Sequence, residues 1–158
     1  MNILVSGASG FFGSNFINYA TKKGHYIFAI SRYKQKKIKN VKWITGSLDK
    51  YYEEFKECEV LIHFASAGVA NRNLPYKKAF ETNITKSSKF LINAARAGCL
   101  KWIIIGSSSE YGDTLKLGKP INIKSSRLPV CNYGKTKSEF SDLVKILSKN
   151  FNARCRVL

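Results

Sequence analysis

The stretch Gly7-Ala8-Ser9-Gly10-Phe11-Phe12-Gly13 lies near the start of the chain, between an apolar run and an amphipathic one. The apolar run, residues 2–6, is typical of a buried parallel strand. After the glycines, apolar side chains recur at helical spacing until Gly24 ends the pattern. These side chains are Phe12, Phe16, Ile17 and Ala20. The sequence therefore predicts a strand, a tight glycine-rich turn and a helix, in that order.

The alternation of strand and helix patterns continues along the rest of the chain. Further strands are predicted at residues 25–31, 41–45, 59–64, 102–105 and 153–158. A short polar helix is expected near residues 50–56. Two longer helices are expected, one ending at Gly98 and one that starts after Cys131 and is marked by apolar residues at 140–147. Strands that alternate with helices predict an α/β fold with a doubly wound parallel sheet.

The length of 158 residues fits one domain, residues 1–158. The last residues alternate as a strand does, with no turn or cap after them, so we expect a chain truncated after its sixth strand. The four cysteines are scattered without a CxxC pair, which predicts reduced thiols and no metal site. Because the sequence shows neither a long apolar run nor a signal peptide, we expect a cytoplasmic protein that does not enter the membrane.

The formal net charge of +17 allows three interpretations. Lysines are spread over the whole chain and are densest at residues 34–42, which favours a solvated, lysine-rich surface. A second interpretation is electrostatic steering of an anionic dinucleotide and a nucleotide-linked substrate. Nucleic acid is the least favoured partner, because no basic motif interleaved with aromatic residues is found.

The glycine spacing of residues 7–13, GxxGxxG, suits a dinucleotide. A pyrophosphate needs backbone N–H groups at a helix N-terminus with no side chain in the way, and glycine permits that close approach. An ordinary strand-to-helix turn is the alternative. The strand before the glycines and the helix after them favour the phosphate-binding interpretation.

The end of the second predicted strand bears on the choice of cofactor. An acidic residue there bonds the adenosine ribose, whereas a basic residue accepts an additional 2′-phosphate. This chain has Ser31 and Arg32 with Lys34 nearby and no acid, so NADP is favoured over NAD. The alternative is that Arg32 stacks on the adenine, which suits either cofactor.

Three side chains predict a proton-transfer site. Tyr133 and Lys137 are four residues apart on a predicted helix and therefore share one face. Tyrosine is a poor base at neutral pH, and a neighbouring ammonium favours its phenolate form. Ser107 follows the predicted strand at residues 102–105, at the edge of the sheet where ligands bind, although the adjacent Ser108 and Ser109 leave its register open by one residue.

Several motifs, in this order, resemble those of the extended short-chain dehydrogenases, specifically the nucleotide-sugar epimerase/dehydratase family. They are the GxxGxxG of residues 7–13, His63-Phe64-Ala65-Ser66-Ala67, Thr82-Asn83, Ser107-Ser108-Ser109-Glu110-Tyr111-Gly112 and Tyr133-Gly134-Lys135-Thr136-Lys137. The resemblance implies a Rossmann domain in which Tyr133 is the acid/base, Lys137 activates it and Ser107 is a third catalytic hydroxyl. It also implies a nucleotide-sugar substrate, dimerisation through the two longer helices, and a C-terminal substrate-binding region that is absent here.

The resemblance further implies the cofactor contacts. The phosphate-binding turn matches Gly7, Ser9, Gly10, Phe11, Phe12 and Gly13, and the contacts along the cofactor match Phe64, Ala65 and Ser66. The family usually carries an acid before the leucine that touches the adenine, whereas this chain has Ser47 before Leu48. Tyr133 and Lys137 are expected to contact the nicotinamide end, and the long loop from Gly112 to about Pro129 is expected to lie over the site.

The reaction type follows from a second departure from the family pattern. Dehydration of a sugar needs a separate acid and base beside the tyrosine. Dehydratases carry an acidic pair where this chain has Ser108 and Ser109, so Glu110 is the only nearby candidate. Epimerisation or reduction of a 4-keto sugar is therefore favoured, and Arg32, if it selects NADP, favours reduction. The alternative hypothesis is a non-catalytic NADP-binding module with a basic partner-binding surface.

Overall fold

The computed structural model describes residues 1–71, 74–114, 118 and 120–158. Within these residues, six strands form one parallel sheet in the order β3-β2-β1-β4-β5-β6. The strands are β1 (Asn2–Ser6), β2 (Tyr26–Ser31), β3 (Val41–Thr45), β4 (Val60–His63), β5 (Lys101–Ile104) and β6 (Arg154–Val157). This strand order confirms the doubly wound parallel sheet that the sequence predicts.

Helices cover both faces of the sheet. They are α1 (Phe11–Lys22), a 3-10 turn (Glu53–Glu57), α2 (Tyr76–Phe80), a π turn (Glu81–Lys86), α3 (Ser87–Arg96), a second 3-10 turn (Ser108–Glu110) and α4 (Asn132–Asn150). Among the helices of the described residues, none is both long enough and apolar enough to cross a membrane.

Two apolar cores lie on the two faces of the sheet, because the side chains of each strand alternate between them. On one face, Ile3, Val5 and Ile27 pack against α1. On the other face, Leu4, Phe28, Leu61 and Trp102 pack against side chains of α3 and α4. The central strands are therefore apolar along their whole length, as strands buried on both faces are.

The structure corrects three details of the predicted pattern. Residues 32–40 connect β2 to β3 without a helix, so helices do not follow every strand; this segment is anchored by Ile38, which packs on the α1 core. Phe12 is 64% exposed rather than part of the buried stripe of α1. The helix expected near residues 50–56 is only a 3-10 turn that begins at Glu53.

Candidate functional site

The turn of residues 7–13, called the glycine turn below, passes directly against the segment that follows β4. Gly7 has a positive φ of 66°, and a Cβ there would lie 2.6 Å from the amide nitrogen of Ala65. A Cβ on Gly13 would lie 2.3 Å from the carbonyl oxygen of Gly7. Both positions therefore exclude any side chain.

The start of α1 is open to a ligand. The N-cap residue is Gly10, which has no side chain that could cap the helix. The first N–H groups of a helix lack partners within the helix and attract anions. The glycine turn and the start of α1 therefore form a backbone cradle that fits the pyrophosphate of a dinucleotide.

A cleft of about 390 Å³ opens at the carboxyl ends of β1 to β4, where ligands bind in open α/β sheets. Most of the predicted cofactor contacts line it: Gly7, Ser9, Gly10, Ser31, Arg32, Ser47, Leu48, Phe64, Ala65 and Ser66. Five others do not: Phe11 and Phe12 are exposed in the first turn of α1, Gly13 is buried within the glycine turn, and Tyr133 and Lys137 lie on α4. The cleft thus joins the glycine turn to the ends of β2 and β3.

The lining of the cleft carries positive charge. Arg32 and Lys86 both contribute to it, and none of the described residues that line it is an Asp or a Glu. The Ser47 hydroxyl donates to Asp49, and this bond lowers the pKa of Asp49. The sequence did not lead to Lys86 as a site residue. The available signal was its position four residues after Thr82, which belongs to the Thr82-Asn83 motif.

Asn83 ties the loop after β4 to α4. Its side chain is buried at the middle of the π turn, a helix type often found at functional sites. Its amide donates to the Ala67 carbonyl and to the Thr136 hydroxyl, both at 3.0 Å, and its carbonyl accepts from the Ala67 amide at 2.7 Å. These bonds fix the position of α4 relative to the cleft.

Tyr133 and Lys137 lie one turn apart on the buried face of α4. A Cβ on Gly68 would lie 3.4 Å from Cβ of Tyr133, so the tyrosine packs on the loop after β4. Lys137 is 4% exposed, and its ammonium donates to the Ile105 carbonyl at 2.5 Å. Burial lowers the pKa of Lys137 to about 8. The structure therefore brings Lys137 to the end of β5 and packs Tyr133 on the loop after β4.

Ser107 begins the second 3-10 turn, at the same end of β5. Its hydroxyl accepts from the Ser109 amide at 3.2 Å, which leaves its own O–H as a donor. A Cβ on Gly134 would lie 2.2 Å from the Ser109 carbonyl, so the start of α4 touches this turn. Residues 106–110 are called the serine turn below. The segments that carry Ser107 and Tyr133 are thus in direct contact, outside the lining of the cleft.

Glu110 is not a free acid beside these residues. It is 5% exposed, and its carboxylate accepts from the Ser107 amide and from the Ser141 hydroxyl, both at 2.9 Å. Both oxygens of this only nearby candidate for a dehydration acid thus accept hydrogen bonds within the protein, which argues against a free acid at this position.

His63 is a buried core residue rather than a site residue. Its Nδ1 shares a 2.6 Å hydrogen bond with the Ser6 hydroxyl between β4 and β1. Complete burial lowers the pKa of His63 to about 3. The imidazole is therefore neutral at physiological pH.

Comparison with known proteins identifies the family. The model of the NAD dependent epimerase/dehydratase family matches residues 3–158. A UDP-glucose 4-epimerase of Neisseria meningitidis serogroup A is 27% identical over 133 residues, which are 73% of this chain and 39% of that protein. The chain thus spans well under half the length of this curated relative.

Solved structures share the fold. A UDP-glucuronic acid 4-epimerase from Bacillus cereus, in complex with UDP-glucuronic acid and NAD, superposes with a TM-score of 0.84 at 20% identity, over 99% of this chain and 55% of that one. A UDP-glucose 4-epimerase from Thermotoga maritima, with UDP-glucose, gives a TM-score of 0.78 at 20% identity, over 99% and 54%. Because the family match covers nearly the whole sequence, the chain belongs to the NAD dependent epimerase/dehydratase family.

Proposed function

We propose that residues 1–158 are the cofactor-binding and catalytic part of an NAD(P)-dependent nucleotide-sugar epimerase or 4-keto reductase. One observation carries the proposal: a side-chain-free cradle at the start of α1 and a buried Tyr133–Lys137 pair at the start of α4 lie at the same edge of one sheet. When bound there, the nicotinamide accepts a hydride from a sugar carbon or delivers one to it.

Side chains of this chain transfer the proton of the sugar hydroxyl. Tyr133 exchanges a proton with the sugar hydroxyl, and the Lys137 ammonium, one turn away, favours the phenolate that this exchange needs. Ser107 donates its O–H to the reacting oxygen. The bond from Lys137 to the Ile105 carbonyl supports these roles, because it holds the ammonium at the end of the strand that leads into Ser107.

Epimerisation or reduction is supported over dehydration. Dehydration needs a second acid/base pair, but Ser108 and Ser109 occupy the positions of the dehydratase acids and Glu110 is engaged in structural bonds. The relatives named above are epimerases, and they support the epimerase alternative without deciding between it and reduction.

For the cofactor, NADP is proposed over NAD. In the part of the chain that the structure describes, Arg32 and Lys86 line the cleft without a carboxylate, and a 2′-phosphate would interact favourably with both cations. The Bacillus cereus enzyme was solved with NAD, which makes NAD the alternative. Calorimetric titration of this chain with each cofactor separates the two: tighter binding of NADP supports the proposal, and tighter binding of NAD removes it.

The catalytic proposal is tested with Tyr133→Phe in the protein as it is encoded, assayed with UDP-sugars. Loss of the phenol should lower turnover by about 100-fold or more while cofactor affinity stays unchanged, because the hydroxyl transfers the proton but the ring keeps its packing. Tyr76→Phe, which removes a phenol bonded to Glu139, is the matched control. Full activity of Tyr133→Phe would show that another group transfers the proton.

A second candidate function, a module that binds a polyanionic partner, is favoured by one surface. Residues 32–48 contain no Asp or Glu, and the connection between β2 and β3 exposes a row of lysines. These are Lys34, Lys36, Lys37 and Lys39. RNA binding that falls steeply as salt is raised would support this candidate, and a weak, flat signal would remove it.

Pairing of two copies through α3 and α4 is also part of the proposal. Sedimentation of the encoded protein tests it, with a dimer expected; a monomer at micromolar concentration would contradict it.

A further inference from the structure

Glu110 receives hydrogen bonds from separate parts of the chain. Its Oε1 accepts from the Ser107 amide within the serine turn, and its Oε2 accepts from the Ser141 hydroxyl on α4. A Cβ on Gly106 would lie 3.1 Å from Oε1, so the carboxylate also packs on the backbone between β5 and Ser107. A buried carboxylate with this many partners fixes the segments that surround it.

Arg127 extends this network into the segment that precedes α4. Its Nη1 donates to the Ser138 carbonyl at 2.8 Å and lies 3.5 Å from Glu110 Oε2. Its Nη2 donates to Asp142, one turn further along α4. The cation therefore sits between two carboxylates and partly compensates the negative charge of both.

Lys137 faces this network. Its ammonium donates to the Ile105 carbonyl, next to the Gly106 backbone on which the Glu110 carboxylate packs. Lys137 also lies one turn before Ser141, which donates to Glu110. In keeping with this proximity, the Glu110 charge raises the pKa of Lys137, although burial has the larger, opposite effect. From β4, the buried His63 also faces the ammonium, and it is neutral. On α4 itself, Tyr133 lies one turn before Lys137 and Phe140 lies with its ring 5.9 Å from the ammonium. Among these groups, Glu110 is the carboxylate.

We propose that Glu110 is a positioning residue that holds the serine turn against α4 and places a negative charge beside the Lys137 ammonium, with Arg127 partly compensating that charge. The effect of Glu110 on catalysis rests on the proposed function. Its electrostatic effect on Lys137 does not. Glu110 does not itself exchange a proton with a substrate, since both of its oxygens are bonded within the protein.

The direct test is the reactivity of the Lys137 amine in this chain. Glu110→Gln keeps an oxygen for the Ser107 amide but removes the charge, so more Lys137 is neutral at pH 7. Acetylation of Lys137 by acetic anhydride, quantified by mass spectrometry against the other lysines, should then be roughly threefold to fivefold faster. Glu139→Gln, an exposed carboxylate on the same helix, is the matched control and should leave the rate unchanged.

Arg127→Gln supplies a test of opposite sign and guards against a Glu110→Gln protein that fails to fold. Without the guanidinium, the Glu110 charge acts on Lys137 with less compensation, so Lys137 should be acetylated more slowly than in the wild type. Rates that do not change in the folded variants, or that change in the same direction in both, would overturn the proposal.

The catalytic consequence is read from the encoded protein. If activity needs the Lys137 ammonium, it falls as pH rises through the pKa of Lys137, and Glu110→Gln should move that fall to lower pH. A purely structural role would instead lower activity by the same factor at every pH. Should the wild type have no activity with UDP-sugars, the proposed function fails, while the acetylation rates still test the role of Glu110.

Discussion

The glycine turn and the serine turn lie at the same edge of the sheet, but they are built in opposite ways. The glycine turn works through missing side chains: Gly7 and Gly13 leave no room for a Cβ, and the backbone faces the cleft. The serine turn works through buried polar side chains, above all Glu110, which bond to neighbouring segments. The first is thus fixed by local backbone shape, and the second by bonds between residues distant in sequence.

The comparison predicts that the glycine turn tolerates no side chain. Gly7→Ala should weaken cofactor binding by on the order of 100-fold, because the new Cβ would meet the Ala65 amide and the backbone would be strained at positive φ. Calorimetric titration measures the affinity.

The matched control is Gly24→Ala. Gly24 also has a positive φ, but a Cβ there meets nothing within 4 Å. It should lower the free energy of unfolding by about 1 kcal/mol and leave cofactor affinity unchanged. Equal losses of affinity in the two variants would mean that strain, and not the close approach to Ala65, explains the effect.

Loss of the hydrogen bonds around α4 should also have a large effect, but on the free energy of unfolding rather than on cofactor affinity. Asn83→Ala should lower the free energy of unfolding by about 3 kcal/mol, because the Ala67 amide and carbonyl lose their side-chain partner and the bond to the buried Thr136 hydroxyl is lost. Urea denaturation measures the change. Asn93→Ala removes one 3.3 Å bond to the Asp49 carbonyl and should cost less than about 1 kcal/mol. Similar costs would show that Asn83 does not join the two segments.

Burial of His63 between the two turns predicts a pH dependence of stability. Its pKa in the folded state, about 3, lies below the ordinary value of 6.5, so the unfolded chain binds more protons between these pH values. Stability from this group is complete above pH 6.5 and falls as pH decreases, by about 2 kcal/mol at pH 5. His63→Gln should remove this part of the slope in urea denaturation at several pH values, whereas His25→Gln should retain it. An unchanged slope in His63→Gln would contradict the assignment.

The smallest effect is expected from charge at the cleft. Lys86→Gln should weaken NADP binding by about fivefold, near 1 kcal/mol, since a partly exposed cation interacts through screened charge. Binding of NAD should change less. Lys89→Gln, an exposed lysine on α3, is the control and should bind both cofactors as the wild type does. If Lys86→Gln weakens NAD and NADP equally, the cation does not select the 2′-phosphate.

The two turns also differ in how far the sequence predicts them. Apolar runs correctly predict all six described strands and their parallel arrangement, and the spacing of Gly7, Gly10 and Gly13 predicts the cradle. These features depend on the size of neighbouring side chains and on the spacing of apolar residues along a short stretch of sequence. Spacing within a short window can also predict too many core residues. The helical spacing places Phe12 in the core, yet Phe12 is exposed at the first turn of α1.

The polar network could not be predicted in the same way. The network joins residues that are far apart in sequence: Glu110, Arg127 and Ser141. Each is of a residue type that is common on protein surfaces, so none of them stands out in the sequence alone. Their bonds exist only because α4 packs on the serine turn, which depends on Gly134 and Asn83. Sequence spacing therefore identified Tyr133 and Lys137 as a pair, but it considered Glu110 only as a candidate acid and did not predict its bonds to the serine turn and α4.

A crystal structure of this chain with bound oxidised cofactor tests most directly whether the two turns serve one ligand. We predict the pyrophosphate on the amides of the glycine turn, and the nicotinamide ribose within hydrogen-bond distance of Tyr133 and the Lys137 ammonium. A cofactor whose nicotinamide points away from α4, with Lys137 still bonded only to the Ile105 carbonyl, would contradict the proposed site.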